Sequence, residues 1–530
     1  MSGRRLVRSA TGSCTRHPAP ETASQFDPRP RKVAMDSENQ SYAGASRVPC
    51  KIDDRARLDE FMSANPGKPC VVVQGLGFVG AVMSLVCANA HGQEYAVIGV
   101  DRADEAGRRR INSLNTGVFP LVADDPRIEV LYRNALERNT FYATCDEYAY
   151  SLADVIVVDI NLDVDKAGSE LNDPDGYSVD LTAFRAAMRA VARRCREDVL
   201  ILVETTVPPG TCEQVVKPAI VEGLRQRGLS TQRFRLGHSC ERVMPGPNYV
   251  DSIQNFYRAY AGVDDRSADA TEAFLHTVIR TDKYPLMRLA GTNASEMTKV
   301  LENAYRAMNI AFITEWSRFA EEAGVNLYEV IDAIRVRPTH SNMMYPGIGV
   351  GGYCLTKDPL MGAWARKTLF GSGATLPQSE TAVRINDRMP FDAFRFIERT
   401  VGRELAGAGV VLLGVAYRGD VGDTRSTPVG PLFDLLVGAG SRVRLHDPYV
   451  SYWPEKELAV ERDLGTALSD AADLVVVTTG HALYRRQSTL DALLALKPAV
   501  IIDTLGLFNA VQLERLQARH RVKVLGRGDL

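Results

Sequence analysis

Cys70-Val71-Val72-Val73-Gln74-Gly75-Leu76-Gly77-Phe78-Val79-Gly80 decides how the rest of this chain is read. Cys70 to Val73 is a short apolar run suited to a strand buried in a parallel sheet. The glycines after it stand at G-x-G-x-x-G spacing and open an apolar helix from Ala81 towards Asn89. Such a turn lets backbone approach a pyrophosphate, which then rests on the helix N-terminus. The spacing alone is weak, but between strand and helix it predicts a dinucleotide-binding domain. A second strand, Ala96 to Val100, ends at Asp101, 21 residues past Gly80. A carboxylate there can accept hydrogen bonds from an adenosine ribose. It repels a 2′-phosphate and so favours NAD over NADP, against the neighbouring Arg102, a residue type that greets that phosphate. Gly75, Leu76, Gly77, Phe78, Val79, Gly80, Asp101 and Arg102 are the expected cofactor contacts.

The alternation of strand and helix continues. Ala153 to Asp159 and Val199 to Val203 read as strands, the second running into Glu204-Thr205-Thr206-Val207-Pro208-Pro209-Gly210-Thr211. Ligands gather at the carboxyl ends of parallel strands, which places Glu204 and Thr206 near cofactor or substrate. A Pro-Pro-Gly turn with a capping threonine is the alternative local reading. The plan repeats after residue 409, where Val410 to Tyr417, Arg442 to Asp447 and Asp473 to Thr478 mirror the earlier strands. One such domain can hold NAD and the other a second nucleotide. Between them, Met297, Val300, Leu301, Ala304, Met308, Ala311 and Phe319 recur at helical spacing over Ser295 to Glu322. Thr292 or Asn293 can cap this helix and Gly324 can end it. Lys299 and Asn303, at i and i+4, share one face.

Gly347-Ile348-Gly349-Val350-Gly351-Gly352-Tyr353-Cys354-Leu355-Thr356-Lys357-Asp358 puts a cysteine after four glycines, with Lys357 three residues on. A nearby cation lowers a thiol's pKa and favours the nucleophilic thiolate. A buried cysteine beside a turn is the bland alternative. With a hydride acceptor upstream, the segment suggests oxidation through a thioester.

Composition sets outer bounds. At about 150 residues per domain, 530 residues allow three or four units. A net charge of −2 gives no bulk reason to expect nucleic acid or a membrane surface as partner, and Arg108-Arg109-Arg110 reads as a solvated helix end. Nine cysteines are scattered without a C-x-x-C pair or histidines at metal-site spacing, so reduced thiols, a cytoplasmic enzyme and no metal are expected. No run approaches the roughly 18 apolar residues of a transmembrane helix. Met1 to Val48 is rich in Arg, Ser, Pro, Thr and Ala, and disorder is expected over residues 1–60, with order beginning near Lys68. Its early arginines faintly resemble a transit peptide, and initiation at Met35 explains the stretch equally well.

From about Lys68 to the end the chain resembles the UDP-glucose/GDP-mannose (nucleotide-sugar) dehydrogenases. The landmarks follow the family's order: Gly75-x-Gly77-x-x-Gly80, Glu204 to Pro208, Glu241-Arg242-Val243-Met244-Pro245-Gly246, Glu296 to Lys299 with Asn303, the Cys354 segment with Asp358, and Gly422-Asp423-Thr424-Arg425. The resemblance implies an α/β fold of two Rossmann-like parallel-sheet domains joined by a long central helix in a helical dimerisation domain. The implied boundaries are 68–288 for NAD, 289–395 for the central domain and 396–530 for the UDP-sugar. It implies a homodimer or higher homo-oligomer, and a four-electron oxidation of a sugar C6 hydroxyl with two NAD. Cys354 would form the thiohemiacetal and thioester, and Glu241 would assist hydrolysis. Lys299 and Asn303 would steady the oxyanion, while Asp358 with Thr206 would handle a water and its proton. Substrate would be held by Glu241, Arg242, Lys299, Asn303, Tyr345, Gly349, Gly351, Tyr417 and Arg418, with Arg425 reaching a nucleotide-sugar across a subunit boundary.

Departures bear on the substrate. Asp159-Ile160-Asn161-Leu162-Asp163 stands where the family usually has Val-Pro-Thr-Pro, near the nicotinamide half of the cofactor. Pro245-Gly246 and Pro346-Gly347 look like the branch acting on UDP-N-acetylmannosamine or UDP-N-acetylglucosamine. Tyr353, where that branch often has histidine, and Lys357 look towards UDP-glucose. An N-acetylhexosamine is the favoured expectation and UDP-glucose the alternative. A β-hydroxyacid dehydrogenase would need neither Cys354 nor the second nucleotide domain. A catalytically silent nucleotide-sugar-binding protein predicts loss of a chemical residue, yet Cys354, Lys299, Asn303, Asp358 and Glu241 are all present.

Overall fold

The computed structural model describes residues 53–120, 125–166, 176–243, 246–468 and 472–530. The expected disorder over Met1 to Val48, and Met244 and Pro245, lie outside these residues. The described fold begins ahead of Lys68, with a helix over Arg55–Ser63. Leu58 and Phe61, three residues apart on one face, are buried in the cluster that holds Cys70 and Val72. Asp54 just ahead accepts hydrogen bonds from the Tyr142 and Thr144 hydroxyls. These contacts correct the expectation of disorder up to residue 60.

Among the described residues, the first sheet runs Met287–Arg288, Ala259–Gly262, Arg235–Ser239, Leu200–Val203, Val155–Val158, Cys70–Gln74, Ala96–Val100, Phe141–Thr144. Neighbours are parallel except Arg235–Ser239 with Ala259–Gly262. From Cys70–Gln74 the chain first adds strands on one side and then on the other. Its carboxyl end is therefore the point where strand order reverses and a crevice opens. Gly75 takes a left-handed φ of +97°, and a Cβ there would lie 2.4 Å from the Asp159 carbonyl oxygen. A Cβ on Gly80 would lie 1.8 Å from the Gly75 carbonyl oxygen. No side chain fits at either position. The helix begins at Phe78 rather than Ala81, because Gly77 is its N-cap.

A second sheet repeats the plan, in the all-parallel order Arg442–His446, Gly409–Leu413, Leu474–Val477, Val500–Asp503, Arg521–Val524. Between the sheets stands the long helix Thr292–Ala323, packed against Asp358–Thr368 and Pro377–Val401. Gly291, in extended conformation, is its N-cap, so Thr292 and Asn293 already lie inside the helix and do not cap it. Gly324 ends it at φ +70°. The apolar residues expected on one face divide between two. Val300, Ala304 and Ala311 are buried and Met308 is half-buried, whereas Met297, Leu301 and Phe319 are exposed.

The first turn of this helix is fastened to the first sheet. Glu296, fully buried, accepts hydrogen bonds from the backbone N–H groups of Gly210 at 2.6 Å and Cys212 at 2.7 Å. Ser295 meets His238 Nδ1 at 2.8 Å and accepts through its carbonyl from the Cys240 thiol. Burial pushes the Glu296 carboxyl up to about 7 against the pull of those N–H donors. Glu296→Ala should orphan two buried donors, each costing about 1–3 kcal/mol. Thermal unfolding should show a lower Tm, with faster amide exchange at Gly210 and Cys212. An unchanged Tm would remove this role.

Candidate active site

At the carboxyl edge of the first sheet, three carboxyl groups surround one guanidinium. Val155–Val158 ends at Asp159, Leu200–Val203 at Glu204, and Arg235–Ser239 leads to Glu241. Arg258, 1% exposed, pairs with Glu204 at 2.6 Å and donates to the Ser239 hydroxyl at 3.3 Å. Burial pushes the Glu241 carboxyl up to about 7, with Lys299 and Arg258 pulling it down and Glu204 adding to the rise. Thr205 ties this edge together, accepting from Ile160 N–H at 3.0 Å. Thr206 beside it is half-buried.

The long helix presents its polar face to this edge. Lys299 donates to the Glu241 carbonyl oxygen at 2.5 Å, and Asn303, one turn on, donates to Asp358 Oδ2 at 2.7 Å. Asp358 is fully buried and its other oxygen accepts from Lys357 at 3.0 Å. The structure thus brings Asp358 to Asn303 and Lys357. Cys354 caps the run, its carbonyl accepting from the Lys357 and Asp358 N–H groups.

The expected activation of Cys354 by Lys357 is corrected. Cys354 is solvent-exposed, yet the surrounding protein raises its thiol pKa. Desolvation is the main cause; Asp358 adds to it, while Lys299 and Lys357 oppose it. Lys357 is held by Asp358, so its charge is already compensated. At rest the sulfur is a thiol.

The glycine loop before Cys354 is clamped to the second sheet's domain. A Cβ on Gly351 would lie 2.5 Å from the Ser426 carbonyl oxygen and 2.6 Å from Tyr417 Cβ. Gly349, at φ +123°, approaches Pro428, and Asn386 bridges Val350 N–H and C=O at 2.7 and 3.0 Å. Arg425 is held by Asp423 through two parallel bonds, and its guanidinium lies 3.9 Å from the Phe78 ring centroid and 5.8 Å from that of Tyr353. It therefore meets the cofactor turn of its own chain. Arg418 is exposed at the same turn and Tyr417 is half-buried.

Two expected substrate residues are engaged elsewhere. The Tyr345 hydroxyl donates to Asp332, its ring stacks on Tyr328 and Arg335 lies over it. Arg242 pairs with Glu302 at 2.9 Å and donates to the Tyr257 carbonyl.

The two nucleotide turns differ. In the first, no side chain caps the helix Phe78–Ala88. Its leading N–H groups are left for a phosphate, and Asp101 lies beyond the next strand. These residues fit NAD. Asp101 also pairs with Arg110 at 2.6 Å, while the exposed Arg102 pairs with Asp104 at 3.0 Å. In the second, Asp447 folds back and accepts from Val415 and Ala416 N–H at 2.9 and 3.0 Å. These two N–H groups of the second turn are thus satisfied within the protein, unlike those of the first.

Arg258 was not singled out from sequence, and Arg110, read there as part of a solvated helix end, lies in mid-helix and pairs with Asp101. Asp159 was noted only as a departure from the family's usual loop, and its burial beside Glu204 and Glu241 is what the structure adds. Nothing in local spacing points to Arg258, whose partner is 54 residues away.

Among the described residues no group of three or more metal-ligating side chains converges, and no helix is long and apolar enough to cross a membrane. The chain matches the UDP-glucose/GDP-mannose dehydrogenase family over its NAD binding domain at residues 69–279, its central domain at 293–388 and its UDP binding domain at 411–510. It is 29% identical over 440 residues to a UDP-N-acetyl-D-mannosamine dehydrogenase of Pyrococcus horikoshii, covering 82% of this chain and 94% of the relative. An NDP-N-acetyl-D-galactosaminuronic acid dehydrogenase of Ralstonia nicotianae is 27% identical over 448 residues, covering 83% and 96%. The solved structure of UDP-D-ManNAc dehydrogenase from Pyrococcus horikoshii superposes with a TM-score of 0.73 at 26% identity, covering 87% of this chain and all of that one. With dinucleotide turn, central helix and second sheet each matched in order, this chain belongs to the UDP-glucose/GDP-mannose dehydrogenase family of NAD-dependent oxidoreductases.

Proposed function

We propose that this chain oxidises the C6 hydroxyl of a UDP-N-acetylhexosamine, UDP-N-acetyl-D-mannosamine foremost, to the uronate in two two-electron steps. The observation that carries this is the gathering of Lys299, Asn303 and Asp358 beside Cys354, next to the crevice that fits NAD. The Pyrococcus and Ralstonia relatives, both named for N-acetylated sugars, favour that substrate class over UDP-glucose. Bound NAD supplies the hydride acceptor for each step.

The chain's own residues do the rest. Asp358, fully buried against Asn303 and Lys357, orients the polar face that receives the C6 oxygen. Once an aldehyde forms, the Cys354 sulfur adds to its carbon and the thiol proton passes to its oxygen. Lys299 and Asn303 donate to that oxygen, fixed in advance by the helix that carries both. The C6–H electron pair then leaves with its hydrogen for the bound acceptor and the hydroxyl proton passes to solvent, which leaves a thioester on Cys354. Glu241 then takes a proton from water, which attacks the thioester carbon and returns the thiol. The Tyr417 and Arg425 loop closes the far side and supplies a guanidinium for diphosphate.

The exposed stripe Met297, Leu301, Tyr305, Phe312, Trp316 and Phe319 supports a homodimer formed through the long helix. Its members are 47–62% exposed and recur at helical spacing on the face opposite Lys299 and Asn303.

With NAD and a panel of UDP-N-acetylmannosamine, UDP-N-acetylglucosamine and UDP-glucose, two NADH should form per UDP-N-acetylmannosamine consumed. Cys354→Ala should still bind NAD and UDP-sugar but lose uronate formation; undiminished uronate would remove the thioester step. Because Glu241 works as a base only when ionised, thioester hydrolysis should fall about tenfold per pH unit below about 7, and Glu241→Gln should flatten that limb. Leu301→Glu with Trp316→Glu should convert a dimer to a monomer by light scattering, and a dimer that survives both places the seam elsewhere.

A further inference from the structure

Asp159 has no part in the chemistry above, yet it sits at the reversal point of the first sheet. Its residue is 8% exposed, and Oδ2 is buried without a hydrogen-bond partner. Glu204 Oε2, Glu241 Oε1 and Arg258 Nη2 are orphaned in the same way. Four unsatisfied polar atoms converging on one crevice wall point to a polar ligand that completes them. The backbone fixes Asp159 there: its N–H donates to the Gln74 carbonyl at 2.8 Å, and its carbonyl packs on Gly75.

The charge balance of this wall is unusual. Facing Asp159 are Glu204 from the next strand, Glu241 from the loop beyond, Arg258 from the antiparallel side and the Cys87 thiol from the helix behind the turn. Lys299 acts on Glu241 from the long helix. Arg258 is committed to Glu204 at 2.6 Å, so Asp159 has no cation of its own. Burial, then Glu204 and Glu241, hold its carboxyl well above the ordinary range against Arg258. Buried, unpartnered at Oδ2 and without a cation of its own, the carboxyl favours its neutral form.

The strand layout says which half of a dinucleotide meets it. Cys70–Gln74, Ala96–Val100 and Phe141–Thr144, with Asp101, form the adenosine half of the sheet. The ends of Val155–Val158, Leu200–Val203 and Arg235–Ser239 belong to the other half, which receives the nicotinamide. That ring carries a positive charge when oxidised and none when reduced. In a buried site such a charge strongly favours a neighbouring carboxylate over its acid.

We propose that Asp159 is a proton site coupled to the nicotinamide charge, losing its proton when NAD+ binds and regaining one as the ring is reduced. In the alcohol step the C6–H bond breaks and its electron pair leaves with the hydrogen for the ring. The hydroxyl O–H also breaks, forming C=O, and an equivalent proton ends on Asp159. The ring goes from +1 to neutral and the carboxylate from −1 to neutral, so the site's charge is unchanged. The inference rests on the NAD-dependent reading of the chain.

The test uses the full chain with NAD+ or NADH alone, without sugar. Titration calorimetry in buffers of different ionisation enthalpy should show up to about one proton released per site on binding NAD+ and none with NADH. The Kd ratio of NAD+ to NADH should fall by up to about tenfold per pH unit where Asp159 titrates. Asp159→Asn should bind both dinucleotides and lose the difference, while Glu241→Gln should keep it. Asp159→Val, suited to a buried position, gives a second variant should the amide fold poorly. Equal proton release with both dinucleotides in the native chain would overturn the proposal, as would release that survives in the Asp159 variants or disappears only with Glu241→Gln. Failure of the substrate reading would appear separately, as dinucleotide binding without NADH formation from any UDP-sugar.

Discussion

The buried Glu296 carboxylate, spanning the N–H groups of Gly210 and Cys212, sets the position of everything chemical in this molecule. It joins the loop after Leu200–Val203 to the first turn of the long helix. Lys299 is three residues and Asn303 seven residues beyond it, both on the face that Glu296 holds against the sheet. A helix has no freedom to rotate about a carboxylate held by two donors. One buried acid therefore aims the residues that meet Glu241 and Asp358.

The site is assembled from three parts of the chain that cannot make it separately. The first sheet supplies the cofactor crevice and Glu241, the long helix supplies the donors, and the second sheet's domain holds the cysteine loop. Glycines at 351 and 352 allow that loop to lie on Tyr417 and Ser426 with no room for a side chain. Arg425 on the Phe78 ring closes the circuit back to the cofactor turn.

Electrostatics in this site is a matter of too few cations for the buried acids. Lys357 serves Asp358 and Arg258 serves Glu204. Glu241 and Asp159 are left to burial, which favours their neutral forms. Desolvation accordingly favours the neutral thiol of Cys354, against the pull of Lys299 and Lys357. The second nucleotide turn follows a related logic, with Asp447 satisfying two of its N–H groups from within.

Local chemistry made much of this legible from residues alone. The glycine turn between Val73 and Phe78, the strand ending at Asp101 and the repeat after residue 409 depend on short-range spacing, and the strands lie where their apolar runs stand. So does the pairing of Lys299 with Asn303 on one helix face. What periodicity could not separate was which apolar stripe of the long helix is buried, since Val300 and Leu301 carry the same signal and only packing distinguishes them. Neither the use of Lys357 by Asp358 nor that of Arg258 by Glu204 follows from spacing. The sequence by itself determined the α/β plan, the cofactor turn and the candidate nucleophile, because each is written in contiguous residues. Only the tertiary structure decided which acids keep a cation and which are left without one, because burial and charge pairing arise between segments that meet only on folding.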